Sequence, residues 1–232
     1  YKKDFDKALA DFDEAIRLEP LQYGNYINRG LIRYSKNDLR GAMSDYDKVV
    51  DLDPNNIIAR FNRGLLRSQV GDDNRAIEDF NVVIKFEPSN YIAYFNRSLL
   101  KSNIGDYKGA LEDLNVVLAE YPEFYHGFYT RAEIKRRQND LKGSERDFNY
   151  ARNEEARKNR EMAEGKITED DSHTREKSDK DIDKFNLLVV ADKTEEEKSK
   201  YENNTRGRIQ NQQVKLDSEP RFIVTYYEKP NE

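Results

Sequence analysis

Cysteine and tryptophan are absent from the 232 residues, and there are only two histidines. Without cysteine there is no disulfide framework, no thiol nucleophile and no thiolate ligand for a metal. His126 and His173 have no partner histidine one turn away and no acidic cluster at ligand spacing, so neither a metal centre nor a nucleophilic site is expected, and no cofactor is implied. Long apolar runs are missing as well. No stretch of 18 apolar residues could cross a bilayer, and the opening YKKDFDKALADF lacks the apolar run of a signal peptide. Nor does charge of one sign dominate: 40 Lys and Arg against 45 Asp and Glu leave a net charge of -5, mixed along the chain. This gives no footprint for nucleic acid and no basic face for a membrane. The 11 glycines fall at turns and helix contacts and form no phosphate-cradling loop, and Asp-rich turns such as GDDN lack calcium-loop spacing. With 36% hydrophobic and 37% charged residues, the chain is lean for one spherical core, which favours an elongated shape.

What the sequence does contain is a period. Pro20, Pro54, Pro88 and Pro122 lie 34 residues apart, and each closes a helix-like run: DFDEAIRLEP, DYDKVVDLDP, DFNVVIKFEP and DLNVVLAEYP. Upstream of the last three runs, and again at 138–144, lies a turn signal (KNDLRGA, VGDDNRA, IGDYKGA, QNDLKGS) in which Gly or Asn ends one helix and Asp caps the next. Each unit therefore reads as helix, tight turn, helix. Small residues at 30 and 42, 64 and 76, 98 and 110, and 132 and 144 suit two closely packed antiparallel helices.

In this pattern the chain resembles the tetratricopeptide repeat family. The family motif appears as Tyr26, Arg29-Gly30, Arg33, Ala42, Tyr46 and Pro54, and it recurs to about residue 152. The resemblance implies an all-α superhelical solenoid of helix-turn-helix repeats, a non-catalytic scaffold and a protein or peptide partner. The expected divisions are 1–22, the second helix of a truncated repeat; repeats at 23–56, 57–90 and 91–124; and 125–165, a last repeat with an extended helix. A polar linker at 166–184 and a small β-containing region at 185–232 follow, with FNLLVVAD, IQNQQVKLD and RFIVTYY as strands and TEEEKSKYEN as a helix. The half-unit at the start calls for a preceding first helix or a neighbouring molecule over its open face.

Two departures from the family motif recur at the same period. Arg29, Arg63, Arg97 and Arg131 stand where the family has leucine; Arg33, Arg67, Lys101 and Lys135 stand where it has tyrosine. Asp45, Asp79, Asp113 and Asp147 recur in the second helices, with Asp11 in the half-unit. An inward guanidinium without a carboxylate costs several kcal/mol, so the pattern predicts an internal Arg-Asp ladder, with a grip on an anionic ligand as the alternative.

One residue turns a helix by about 100°, so Asn28, Asn62, Asn96 and Thr130 are expected to look into the groove lined by the first helices. The resemblance adds Ile27, Phe61, Phe95 and Tyr129, then Leu31, Leu65, Leu99 and Glu133 one turn later, with His126 on the last groove helix. Such a wall suits an extended peptide or a helix, its amides serving main-chain groups. Packing against neighbours or against the chain's own tail is the competing reading. The carboxylate clamp of chaperone-binding relatives is not supported, because Ile27 and Leu31, and Ile92 and Asn96, stand at the clamp positions and only Asn62 fits. A second function class is self-assembly, in which the groove or the open N-terminal face takes another copy, as a homodimer, or the chain's own C-terminal region.

Overall fold

The structure, a computed structural model, describes residues 2–166, 210–214 and 224–228. Among these residues there are nine helices: α1 (Lys2–Leu18), α2 (Tyr23–Ser35), α3 (Leu39–Leu52), α4 (Ile57–Gln69), α5 (Asp73–Phe86), α6 (Tyr91–Asn103), α7 (Tyr107–Glu120), α8 (Tyr125–Arg137) and α9 (Leu141–Ala163). The fold class of these residues is all-α. A β-rich appendage is not supported, although the described strands overlap two of the expected ones, IQNQQVKLD and RFIVTYY. Strand structure among the described residues is confined to one antiparallel pair, β1 (Gln210–Val214) and β2 (Val224–Glu228), in the register Gln210 to Glu228, Gln212 to Tyr226 and Val214 to Val224. Two strands cannot bury a core of their own. FNLLVVAD and TEEEKSKYEN lie outside the described residues.

Local chemistry sets the helix boundaries. Asn37, Gly71, Gly105 and Asn139, one per turn and 34 residues apart, adopt positive φ angles of 63°, 81°, 86° and 64°, which end the preceding helix. The aspartates that follow start the next helix. Asp38, Asp106 and Asp140 accept from the backbone N–H of Gly41, Gly109 and Gly143 at 2.9, 3.0 and 2.9 Å. Glycine is needed there because a Cβ would sit 2.0 to 2.3 Å from the capping carboxylate oxygen. At α5 the same place holds Arg75; Asp72 forms no cap bond and pairs with the Arg75 guanidinium at 3.3 Å instead.

The packing divides within α4, one unit ending at Leu66 and the next beginning at Arg67. In the first unit, α2 packs against both α1 and α3, around a core of Tyr26, Ile27, Leu31, Tyr46, Val49 and Val50. Gly30 makes this approach possible: a Cβ there would come within 2.8 Å of the Tyr46 ring. In the second unit, α6 packs against α5 and α7, α8 against α7 and α9, and the two first helices α6 and α8 also touch. Its core gathers Phe95, Leu114, Val117, Leu118, Tyr121 and Phe124, with Phe95 and Phe124 edge to face at 5.2 Å.

The Tyr46 hydroxyl is fully buried and has no hydrogen-bond partner among the described residues. Burial pushes its pKa well up, with Asp45 and Tyr34 adding to the shift. An unsatisfied buried hydroxyl costs about 1–3 kcal/mol, and the repeats that follow place Phe80 and Leu114 at this position. Tyr46→Phe is therefore expected to leave stability unchanged or raise it by about 1 kcal/mol in urea unfolding. A clear loss would mean that the hydroxyl is bonded.

Candidate functional site

Each second-helix aspartate is a buried carboxylate, 2%, 0%, 3% and 6% exposed at Asp45, Asp79, Asp113 and Asp147. Cations from the first helix of the same repeat hold them. Arg97 grips Asp113 with two nitrogens, Nε to Oδ2 at 2.8 Å and Nη2 to Oδ1 at 2.5 Å, and Lys101 one turn later approaches Oδ2 at 3.0 Å. Arg131 and Lys135 hold Asp147 in the same way, at 2.8 and 2.7 Å. Arg29 and Arg33 hold Asp45, at 2.5 and 2.9 Å, and Arg67 reaches Asp79 at 2.8 Å. Burial raises the Asp45 carboxyl above its ordinary value while Arg29 and Arg33 pull the other way. At the less enclosed Asp147 burial also opposes ionisation, but the bonds from Arg131 and Lys135 outweigh it and hold the carboxyl low.

Sequence reasoning missed a third contact. The remaining guanidinium nitrogen of each arginine reaches back to the second helix of the preceding repeat: Arg29 to Asp13 at 2.6 Å, Arg63 to Asp47 at 2.8 Å, Arg97 to Asn81 at 2.7 Å and Arg131 to Asn115 at 2.9 Å. The signal was available, since Asp13, Asp47, Asn81 and Asn115 also recur every 34 residues. Arg29, Arg97 and Arg131 lie over Tyr26, Tyr94 and Phe128 at 5.5, 5.4 and 4.9 Å, which closes the open face of the guanidinium. Each of these three arginines thus joins three consecutive helices. Asp11, at the corresponding position of α1, is exposed.

The predicted groove residues divide by burial. In the first unit Ile27, Leu31, Phe61 and Asn62 are buried, Asn28 and Leu65 half-buried. The Asn28 Oδ1 is enclosed and lacks a hydrogen-bond partner among the described residues. In the second unit Phe95 and Asn96 are buried, Leu99, Tyr129 and Thr130 half-buried, and His126 exposed. Asn96 Nδ2 donates to the Ile92 carbonyl and the Thr130 hydroxyl to the His126 carbonyl, both at 2.9 Å, so part of their capacity is spent on their own helices. The Tyr129 hydroxyl donates to Glu155 at 2.7 Å, and Lys158 lies over Tyr125 at 5.5 Å; the extra turns of α9 therefore flank α8. Glu133, one turn past Tyr129, is bonded by Arg136 and Arg137 at 2.8 and 3.0 Å, and these bonds lower its pKa to about 2. Among the described residues no cluster of His, Cys, Asp and Glu could hold a metal, and no helix is long and apolar enough to cross a membrane.

Comparison with known proteins agrees with this geometry. A family profile described as TPR repeat matches residues 30–71. Among solved structures, MamA is 18% identical and superposes with a TM-score of 0.64 over 68% of this chain and 93% of its own. A tetratricopeptide repeat protein from Parabacteroides merdae is 26% identical, with a TM-score of 0.62 over 67% of this chain and 62% of its own. YrrB, described as a TPR protein with an unusual peptide-binding site, is 16% identical, with a TM-score of 0.62 over 66% of this chain and 78% of its own. No curated protein sequence matches.

Removing one partner from a buried ion pair is costly because the other charge stays buried. Asp113→Ala leaves Arg97 and Lys101 facing each other and is expected to destabilise by about 3–5 kcal/mol, whereas Asp113→Asn, which keeps an acceptor, should cost less; urea midpoints decide. The Asp147 carboxyl titrates below its unfolded value, so its contribution is present above that value and lost as pH falls through the folded one. Between about pH 5 and pH 3, stability should fall more steeply in the unsubstituted chain than in Asp147→Asn. Parallel pH profiles would exclude Asp147 as the source.

Proposed function

We propose that this chain, whose residues 30–71 match a TPR repeat profile and whose helices share the fold of solved tetratricopeptide repeat proteins, is a non-catalytic protein-interaction scaffold that takes a peptide segment against its first helices. The observation that carries this reading is the absence of charge at the matching positions of α2, α4 and α6; on α8 the position holds Glu133, which is bonded by Arg136 and Arg137. Ile27 and Leu31, Phe61 and Leu65, and Phe95 and Leu99 repeat one motif at 34-residue spacing. Charged groups of these helices are directed elsewhere, as with Arg97 and Lys101, which are committed to Asp113.

In the second unit the partner meets Leu99 on α6, then His126, Tyr129 and Thr130 on α8. In the first unit it meets Leu65 on α4 and Asn28 on α2. Phe61 and Phe95, at 3% and 8% exposure, act from beneath as packing that sets the wall. A segment with apolar anchors and a polar group fits either set of side chains.

The test uses the half-buried and exposed positions, because a charge at Phe61 or Phe95 would report on folding. Peptides selected by display on the intact chain should lose about tenfold or more in affinity with Leu99→Asp or His126→Asp while helical circular dichroism stays the same. Selection of peptides whose binding ignores both substitutions would place the contact on another surface.

A further inference from the structure

The second helices carry a change between the two units that peptide binding does not use. At the positions that accept the third arginine nitrogen, the first unit has Asp13 and Asp47, and the second unit has Asn81 and Asn115, followed in register by Asn149. At the next position the first unit has Glu14 and Lys48, and the second unit has Val82, Val116 and Tyr150. Both changes remove charge from the same strip. Val116 is 40% exposed and Tyr150 41%; Phe86, one turn beyond Val82, is 46% exposed, and Ala119, one turn beyond Asn115, is also exposed.

The amide keeps what the arginine needs and alters what solvent sees. A guanidinium only donates, so the oxygen of Asn81 must face Arg97 and that of Asn115 must face Arg131, at 2.7 and 2.9 Å. Each side chain then turns its NH2 group outward. Where Asp47 presents a charge, Asn115 presents two neutral donors. Tyr150 is also fixed in place: its ring lies 4.4 Å from that of Phe128 and its hydroxyl donates to the Pro122 carbonyl at 3.0 Å. A rigid, half-exposed aromatic beside small apolar groups is the composition of an interface anchor.

From these observations we infer that the outer faces of α5, α7 and α9 form a contact surface for a second copy of this chain. The strip is self-complementary. Its centre, Val82, Val116 and Tyr150, is uncharged and meets its own copy without repulsion. Glu78 and Glu112, one turn before the asparagines on the same helices and exposed, offer acceptors for the outward amides of the facing copy. Lys85, Arg146 and Glu154 border the strip. Two turns from each of three neighbouring helices amount to several hundred Å² per copy, on the order of 1,000 Å² for a pair, the size at which a specific interface begins. In the first unit the same positions hold Asp13, Glu14, Asp47 and Lys48, with Glu14 tied to Arg17 at 2.7 Å, and such a face stays hydrated.

Sedimentation equilibrium of the full chain over a range of concentrations tests this. The unsubstituted chain should associate in the micromolar range. Val116→Asp and Asn115→Asp should each weaken association by about tenfold or more. Neither should change the melting curve of the dilute monomer, because position 116 is open to solvent and an aspartate at 115 still accepts from Arg131, as Asp47 does from Arg63. A chain that stays monomeric at every concentration, or association that both variants leave untouched, overturns the inference. Association abolished by Leu99→Asp alone also overturns it and assigns the contact to the first helices. A monomer that loses a different bound protein on Val116→Asp overturns the second copy as occupant.

Discussion

A carboxylate withdrawn from water and held by cations from a neighbouring helix is the constraint from which most of this structure follows. In water a surface ion pair contributes little, because both charges are well solvated already. Asp113 is 3% exposed, and its charge can stay there only if the geometry of its partners is good. Two parallel bonds from Arg97 and a third from Lys101 meet that condition. Those bonds are directional, whereas the leucine and tyrosine of the family motif would make apolar contacts that tolerate sliding. The register between first and second helix is therefore fixed chemically in each such rung, and the small residue one position after the arginine lets the helices come close enough for it.

The arginine also has more donors than the aspartate can use. Its third nitrogen turns toward the preceding second helix, so a single side chain ties together three helices that follow one another in the chain. An aromatic ring three residues earlier covers its flat face in three of the four repeats. Because that outer acceptor can be either a carboxylate or an amide, the charge on the outer surface can change without disturbing the rung beneath. The first unit uses carboxylates and the second uses amides; the arginine–aspartate rung recurs, and the surfaces differ.

Committing Arg97 and Lys101, and their counterparts, to the aspartates leaves the matching positions of α2, α4 and α6 apolar. At 27 and 31, 61 and 65, and 95 and 99 the side chains are apolar, and part of their surface is spent on packing: Ile27 and Phe61 are buried, while Leu65 and Leu99 keep a half-exposed edge. On α8 the character changes to His126, Tyr129 and a Glu133 already neutralised by two arginines, where the extra turns of α9 lie alongside.

The sequence by itself determined the repeats. A 34-residue spacing of proline, glycine or asparagine, small residues and aspartate specifies helix ends, caps and close contacts through local chemistry, and local chemistry is legible along a chain. It also displayed the arginines and aspartates at one period, because a charge on an apolar stripe stands out. Tertiary structure alone decided how those charges were shared. Whether a guanidinium spends two nitrogens or three on its neighbours, and whether Asn96 looks outward or bonds its own helix, depends on distances between segments that lie apart in the chain. The same holds for exposure: Phe80 and Phe148 occupy one repeat position, yet the first is fully buried and the second is 49% exposed. Periodicity assigns a residue to a face of its helix, and only the packing of the neighbouring helices decides how much of that face is covered.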